Sequence, residues 1–135
     1  MAGGKPRSDR RVQRIRRRAR SILGWGSKLL VAQFSVYRNN NARTKATFPL
    51  LVDVQSDLLE PLNTRVVIPM TKAPALAKKP VSHLTPEISF NGDRYVLMTP
   101  QLAGIGRTEV GPHAGTLAEE RQTILAAMDF LLTGF

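Results

Sequence analysis

From Gln33 onward the chain alternates short apolar runs with polar breaks, the texture of β structure. Gln33-Phe34-Ser35-Val36-Tyr37 alternates polar and apolar side chains, the period-two pattern of a half-buried strand. Asn39-Asn40-Asn41 and the basic residues up to Lys45 read as a loop. Thr47 to Val54 is apolar enough for a central strand, with Pro49 near its start, where a missing N–H is tolerated. Asp57 to Thr64 holds Pro61 and Asn63 and is expected to connect. Arg65-Val66-Val67-Ile68-Pro69-Met70 is rich in β-branched residues and predicts a strand. Ala73 to Pro86 carries Pro74, Pro80 and Pro86, which predicts a loop with a short helical turn.

The sharpest local signal is Asn91-Gly92 between Glu87-Ile88-Ser89-Phe90 and Arg94-Tyr95-Val96-Leu97-Met98, the signature of a type I′ hairpin. Ile88, Phe90, Tyr95 and Leu97 would then share a buried face. Gly104, Gly106 and Gly111 punctuate the next segment, where a short strand is expected at Thr108–Val110. A helix is predicted from about Leu117 to Leu132. Thr116 and Glu119 have the spacing of a capping box, in which hydroxyl and carboxylate each accept an orphan N–H. Leu117, Ile124, Met128 and Leu131 mark its apolar stripe. The expected fold is a small, mainly antiparallel β domain with one C-terminal helix.

Charge divides the chain. Of 135 residues, 20 are Lys or Arg against 10 Asp or Glu, a formal net charge of +10. Residues 1–30 hold ten of those cations and one acid, Asp9, so residues 31–135 are nearly neutral. Only the arm therefore argues for an anionic partner. Val12, Ile15, Ala19 and Ile22 recur at helical spacing, so an amphipathic helix around Asp9 to Leu23 suits a nucleic-acid arm, a membrane-surface helix or a targeting segment. Targeting fits worst: Gly24, Gly26, Ser27 and Lys28 spoil an apolar core, and Arg10-Arg11 lacks the rest of a twin-arginine signal. The expectation is that residues 1–30 are disordered or lie upstream of the true start. The length suits one domain, and no apolar run reaches the ~20 residues a membrane span needs. With no cysteine, a disulfide framework, a thiolate metal site and a cysteine nucleophile are excluded, and the chain suits a reducing cytoplasm.

No catalytic set assembles. His83 and His113 are isolated and read as solvent-facing loop residues. Asp53 and Asp57 have the spacing of paired carboxylates, but at a strand end they more often accept backbone N–H bonds. Ser56 lacks the glycines of a nucleophile elbow, and Gly104-Ile105-Gly106 lacks the spacing and βαβ context of a phosphate loop. Glu119 and Glu120 are explained by the cap and the helix dipole, and Trp25 lies in the arm. No catalytic residue, metal ligand or cofactor is expected.

The stretch from Gln33 to Phe135 resembles the CcdB plasmid-maintenance toxins, poisons of DNA gyrase from type II toxin–antitoxin systems. The resemblance rests on Gln33-Phe34-Ser35-Val36-Tyr37, on Val52-Asp53-Val54-Gln55-Ser56-Asp57-Leu58-Leu59 and on Arg65-Val66-Val67-Ile68-Pro69-Met70, then on Leu97-Met98-Thr99 and the closing Thr133-Gly134-Phe135. It implies a small antiparallel SH3-like, CcdB-type barrel over residues 31–135, a homodimer, and an inhibitor rather than an enzyme. It further implies binding to the gyrase A subunit and trapping of the cleaved-DNA complex. The cognate antitoxin is expected to wrap the toxin, and the pair to repress its own operon, with operator DNA bound only together with the antitoxin. The family's poisoning tip is commonly Trp-Gly-Ile; here Thr133, Gly134 and Phe135 stand in its place, so only the glycine is kept. Expected gyrase contacts are Thr133, Gly134, Phe135, Leu132, Asp129, Leu58 and Leu59. Expected antitoxin contacts are Arg43, Lys45 and Lys72, from the basic loop and the segment after Thr71. For Gly134 a simple helix cap competes with a contact role. The family's members begin within a residue or two of the Gln-Phe pair, which suggests Val31 as the initiator here.

Two other classes stay open. The Kid and MazF toxins share the general fold and cut RNA, so an endoribonuclease is an alternative. A small barrel with a cationic arm would be a nucleic-acid-binding module.

Overall fold

The structure is a computed structural model that describes residues 33–59, 61–76 and 83–134. The basic arm, where an amphipathic helix is expected, Trp25, the expected start at Val31 and Phe135 lie outside the described residues.

Among the described residues seven strands form one antiparallel sheet: β1 (Ser35–Asn39), β2 (Leu50–Asp53), β3 (Thr64–Lys72), β4 (Glu87–Phe90), β5 (Asp93–Leu97), β6 (Ala103–Gly106) and β7 (Val110–Thr116). The order is β4-β5-β3-β2-β1-β7, with β6 also on β3. Among the described residues one α-helix, α1 (Arg121–Thr133), follows a 3-10 turn at Ala118–Glu120. The expected architecture is therefore present. β3 is its spine, pairing with β2 along one edge and with β6 then β5 along the other. Pro69 sits where that second edge changes partner, between Val67 opposite Ala103 and Met70 opposite Leu97. Its carbonyl accepts Met98 N–H at 2.9 Å on that edge, so the N–H it lacks also faces the gap between β6 and β5.

The cross-strand row Val36, Val52 and Ile68 is fully buried and centres the core. The hairpin residues Ile88, Phe90, Tyr95 and Leu97 join it, as their alternation predicts. Asn91 (φ 50°) and Gly92 (φ 85°) both adopt the left-handed conformation of a type I′ turn. The path's two ends, β4 and β7, meet without hydrogen-bonded pairing: a Cβ on Gly115 would fall 2.8 Å from the Phe90 ring. That contact curls the sheet into a half-open barrel. α1 covers the end where β1 begins. Leu117 N–H donates to Phe34 O at 2.8 Å, Ile124 and Ala127 are fully buried, and the Arg121 guanidinium lies 5.7 Å above the Phe34 ring.

Several expectations need correction. The first strand starts two residues later than predicted, because Phe34 has φ 68° and turns the chain into the sheet. The Gly-rich segment is not a short strand at Thr108–Val110; it is β6, a 3-10 turn at Arg107–Glu109, and the seven-residue β7. His113 consequently lies in a strand, exposed, with its ring edge-on to Tyr37 at 5.4 Å. The capping box does not form. Thr116 is the last residue of β7; its hydroxyl accepts Ala118 N–H at 3.1 Å, and Glu120 at the helix N-cap makes no side-chain cap bond. The glutamates still precede the helix N-terminus, where its dipole favours negative charge. Leu131 is 38 % exposed and leaves the apolar stripe to Ile124, Ala127 and Met128.

Candidate functional site

The V-D-V-Q-S-D stretch organises the turn that carries Leu58 and Leu59. Asp53 Oδ1 accepts Gln55 N–H at 3.0 Å, the turn-capping role expected of it. Its Oδ2 holds Arg65, which sequence spacing did not reveal: Nε donates at 2.8 Å, and Nη2 lies 2.7 Å away. Nη2 is off the hydrogen-bonding direction and Nη1 has no acceptor, so Nε makes the one directed bond of this buried pair. Gln55 then spans two segments, accepting Val66 N–H at 2.9 Å and donating to Leu59 O at 3.1 Å. Leu59 N–H donates to Ser56 O at 3.0 Å and closes the 3-10 turn Asp57–Leu59, while Ser56 Oγ accepts Leu58 N–H at 3.2 Å. A buried ionic network thus fixes a turn whose Leu58 is half-buried and whose Leu59 is 46 % exposed.

The helix end is equally well fastened. Gly134 caps α1 in the left-handed conformation (φ 80°, ψ 15°), and its N–H donates to Phe130 O at 2.9 Å. Nothing lies within 4 Å of where its Cβ would be, so the conformation and not crowding calls for glycine. Thr133 Oγ1 donates to Asp129 O at 2.7 Å, joining two of the expected tip residues within the last turn. Asp129 and Thr133 are exposed, and Leu132 is 76 % exposed. The exposed His83 ring stacks on Phe130 at 6.1 Å and braces the same turn. A capped helix end therefore presents an uncovered leucine.

The expected antitoxin residues do not gather at one place. Arg43 and Lys45 are exposed on the turn that follows β1. Asn41, Thr44 and Phe48 of that segment wall a cavity of about 210 Å³, floored by Leu51, Val67 and Pro69. Asn39 Nδ2 ties the wall together through Thr44 Oγ1 and Phe48 O, both at 2.9 Å, and Asn41 Nδ2 reaches Glu109 Oε1 at 2.8 Å. Sequence reasoning missed Phe48, Gln101, Ile105 and Glu109 of this cavity; the Asn39-Asn40-Asn41 run was its one visible sign. Lys72 belongs elsewhere, on a second cavity that opens on the opposite face of β2, lined by Leu50 where the first is lined by Leu51.

Among the described residues no three His, Cys, Asp or Glu side chains stand close enough to hold a metal ion, and no helix is long and apolar enough to cross a membrane. The family model described as CcdB protein matches residues 33–134, almost the whole described domain.

Proposed function

The chain belongs to the CcdB protein family, the toxins of toxin–antitoxin pairs, and from that premise we propose that it binds the A subunit of DNA gyrase and traps the enzyme on cleaved DNA. The observation that carries this reading is the capped helix end, with Leu132 uncovered beside Thr133 and Gly134. A backbone already fixed by its helix cap loses little further entropy on binding, so a small tip can contribute a large share of the affinity. Leu132, Asp129, Thr133, Gly134 and Phe135 form the primary contact; Leu58 and Leu59, on their clamped turn, form a second. The domain acts as a homodimer in the cytoplasm. Its antitoxin docks along the turn bearing Arg43 and Lys45, with the adjacent cavity taking an apolar side chain, and the pair together binds operator DNA.

Expression in cells carrying either wild-type gyrase or a toxin-resistant gyrase A subunit tests the target. Growth arrest and DNA damage are expected only with the wild-type subunit. Arrest of equal severity in both strains would reject gyrase as the target, and loss of message without DNA damage would favour a ribonuclease.

A further inference from the structure

The barrel end opposite α1 is open, and its mouth is a cavity of about 330 Å³. Its floor is apolar: Leu50, Phe90 and Tyr95 are buried core residues that turn one side toward it, and Ala114 of β7 forms a wall. Two cations stand over that floor. Arg38 lies opposite Leu50 in the β1–β2 register, and Lys72 lies opposite Tyr95 in the β3–β5 register. Both are exposed, and among the described residues neither has an ion-pair partner, although Asp93 lines the same cavity. The helix end lies apart from this mouth, since none of Asp129 to Gly134 lines it.

A cavity with an apolar floor and a polar rim that carries two cations selects for an apolar side chain flanked by negative charge. Barrel mouths are a common place for such sites, and the volume is at the low end of the range that holds a small ligand or one large side chain. Nucleic acid fits less well, because phosphate recognition relies on a longer run of cations than Arg38 and Lys72 provide, and Asp93 opposes it. We infer that the barrel mouth is a second recognition site, which takes an acidic peptide segment by burying an aromatic or aliphatic side chain on Leu50 and Tyr95 while flanking carboxylates meet Arg38 and Lys72. This site does not depend on gyrase as the target, because no tip residue contributes to it.

Methyl-resolved NMR titration of the full chain tests the site without interference from the basic arm, because the reporters are local. The probe is the capped peptide Glu-Glu-Trp-Glu-Glu, with Lys-Lys-Trp-Lys-Lys and Glu-Glu-Gly-Glu-Glu as comparisons. The acidic tryptophan peptide is expected to shift the Leu50 and Ala114 methyl signals saturably, while the other two leave them in place. Arg38→Glu combined with Lys72→Glu is expected to weaken that response at least tenfold, with the free-protein spectrum otherwise retained. Arg107→Glu combined with Arg121→Glu, at exposed positions that do not line the cavity, serves as the charge-matched control and is expected to leave it unchanged. Absent shifts, equal weakening by both double variants, or a stronger effect on the same methyls from a short single-stranded oligonucleotide would each overturn the proposal.

Discussion

Replacing Asp53 by Leu, or Arg65 by Met, perturbs the buried pair at the heart of the most characteristic motif. Asp53 is 2 % exposed and Arg65 5 %, so either single change strands the other charge in a dry site. Losing one partner of a buried pair costs about 3–5 kcal/mol. Asp53→Leu also removes the acceptor of Gln55 N–H, worth about 1 kcal/mol more. For a domain of this size each kcal/mol moves the thermal midpoint by about 4–8 °C, so Asp53→Leu is expected to lower it by about 15 °C or more. The double variant replaces both charges by apolar groups, and it is expected to be less destabilised than either single one. Urea denaturation followed by circular dichroism measures all four corners of the cycle. Single-variant losses below about 1 kcal/mol, or a double variant equal to the sum of the singles, would refute the idea that this pair is desolvated and coupled.

Gly115→Ala is expected to cost about 1–3 kcal/mol, because the new methyl meets the Phe90 ring, and Phe90→Leu in the same chain should recover part of it; an unchanged urea midpoint would mean that β4 and β7 are not held in contact there. Thr116→Ala should cost about 0.5 kcal/mol, less than loss of a helix N-cap, since its hydroxyl bonds only Ala118 N–H at an exposed turn; a thermal loss equivalent to about 2 kcal/mol would show that it caps α1 after all. Gly134→Ala places a Cβ in the left-handed region and is expected to cost about 1 kcal/mol, with weaker gyrase trapping as the tip swings; trapping at the wild-type level would show that the tip's direction is immaterial.

The strands that announced themselves in sequence were those whose side chains also form the core. Val52, Ile68 and the alternating Ile88, Phe90, Tyr95 and Leu97 are β-formers placed where the sheet buries them. β7 was hidden because its glycines answer to close approach instead of propensity, and β6 because Ala-Gly-Ile-Gly has the composition of a loop. Gly111 has a virtual Cβ 2.6 Å from Arg38 O, and Gly115 lies under Phe90, so glycines that read as loop permit strand packing. The capping box failed for a related reason: β7 ends at Thr116 and the chain makes a 3-10 turn before α1 begins. At the candidate site, the tip residues could be chosen only through the family resemblance, and the Asp53–Arg65 pair, twelve positions apart, carries no periodic signal. The two cavities were illegible because register assembles them from distant strands, which is also why Lys72 stands with Arg38 and not with Arg43 and Lys45.

Gyrase poisoning by the helix end is tested most directly by a chain that stops at Leu132. Truncation removes the Thr133 hydroxyl bond to Asp129 O and the Gly134 N–H bond to Phe130 O, both at an exposed helix end. The cost to folding is expected to be about 1 kcal/mol, because Ile124, Ala127 and Met128 keep their places. The measurement is gyrase-mediated cleavage of supercoiled plasmid, with the thermal midpoint recorded on the same preparations. The truncated protein is expected to melt within a few degrees of the full chain and to leave no trapped cleavage complex. Trapping at the full-length level by the truncated protein would contradict the account.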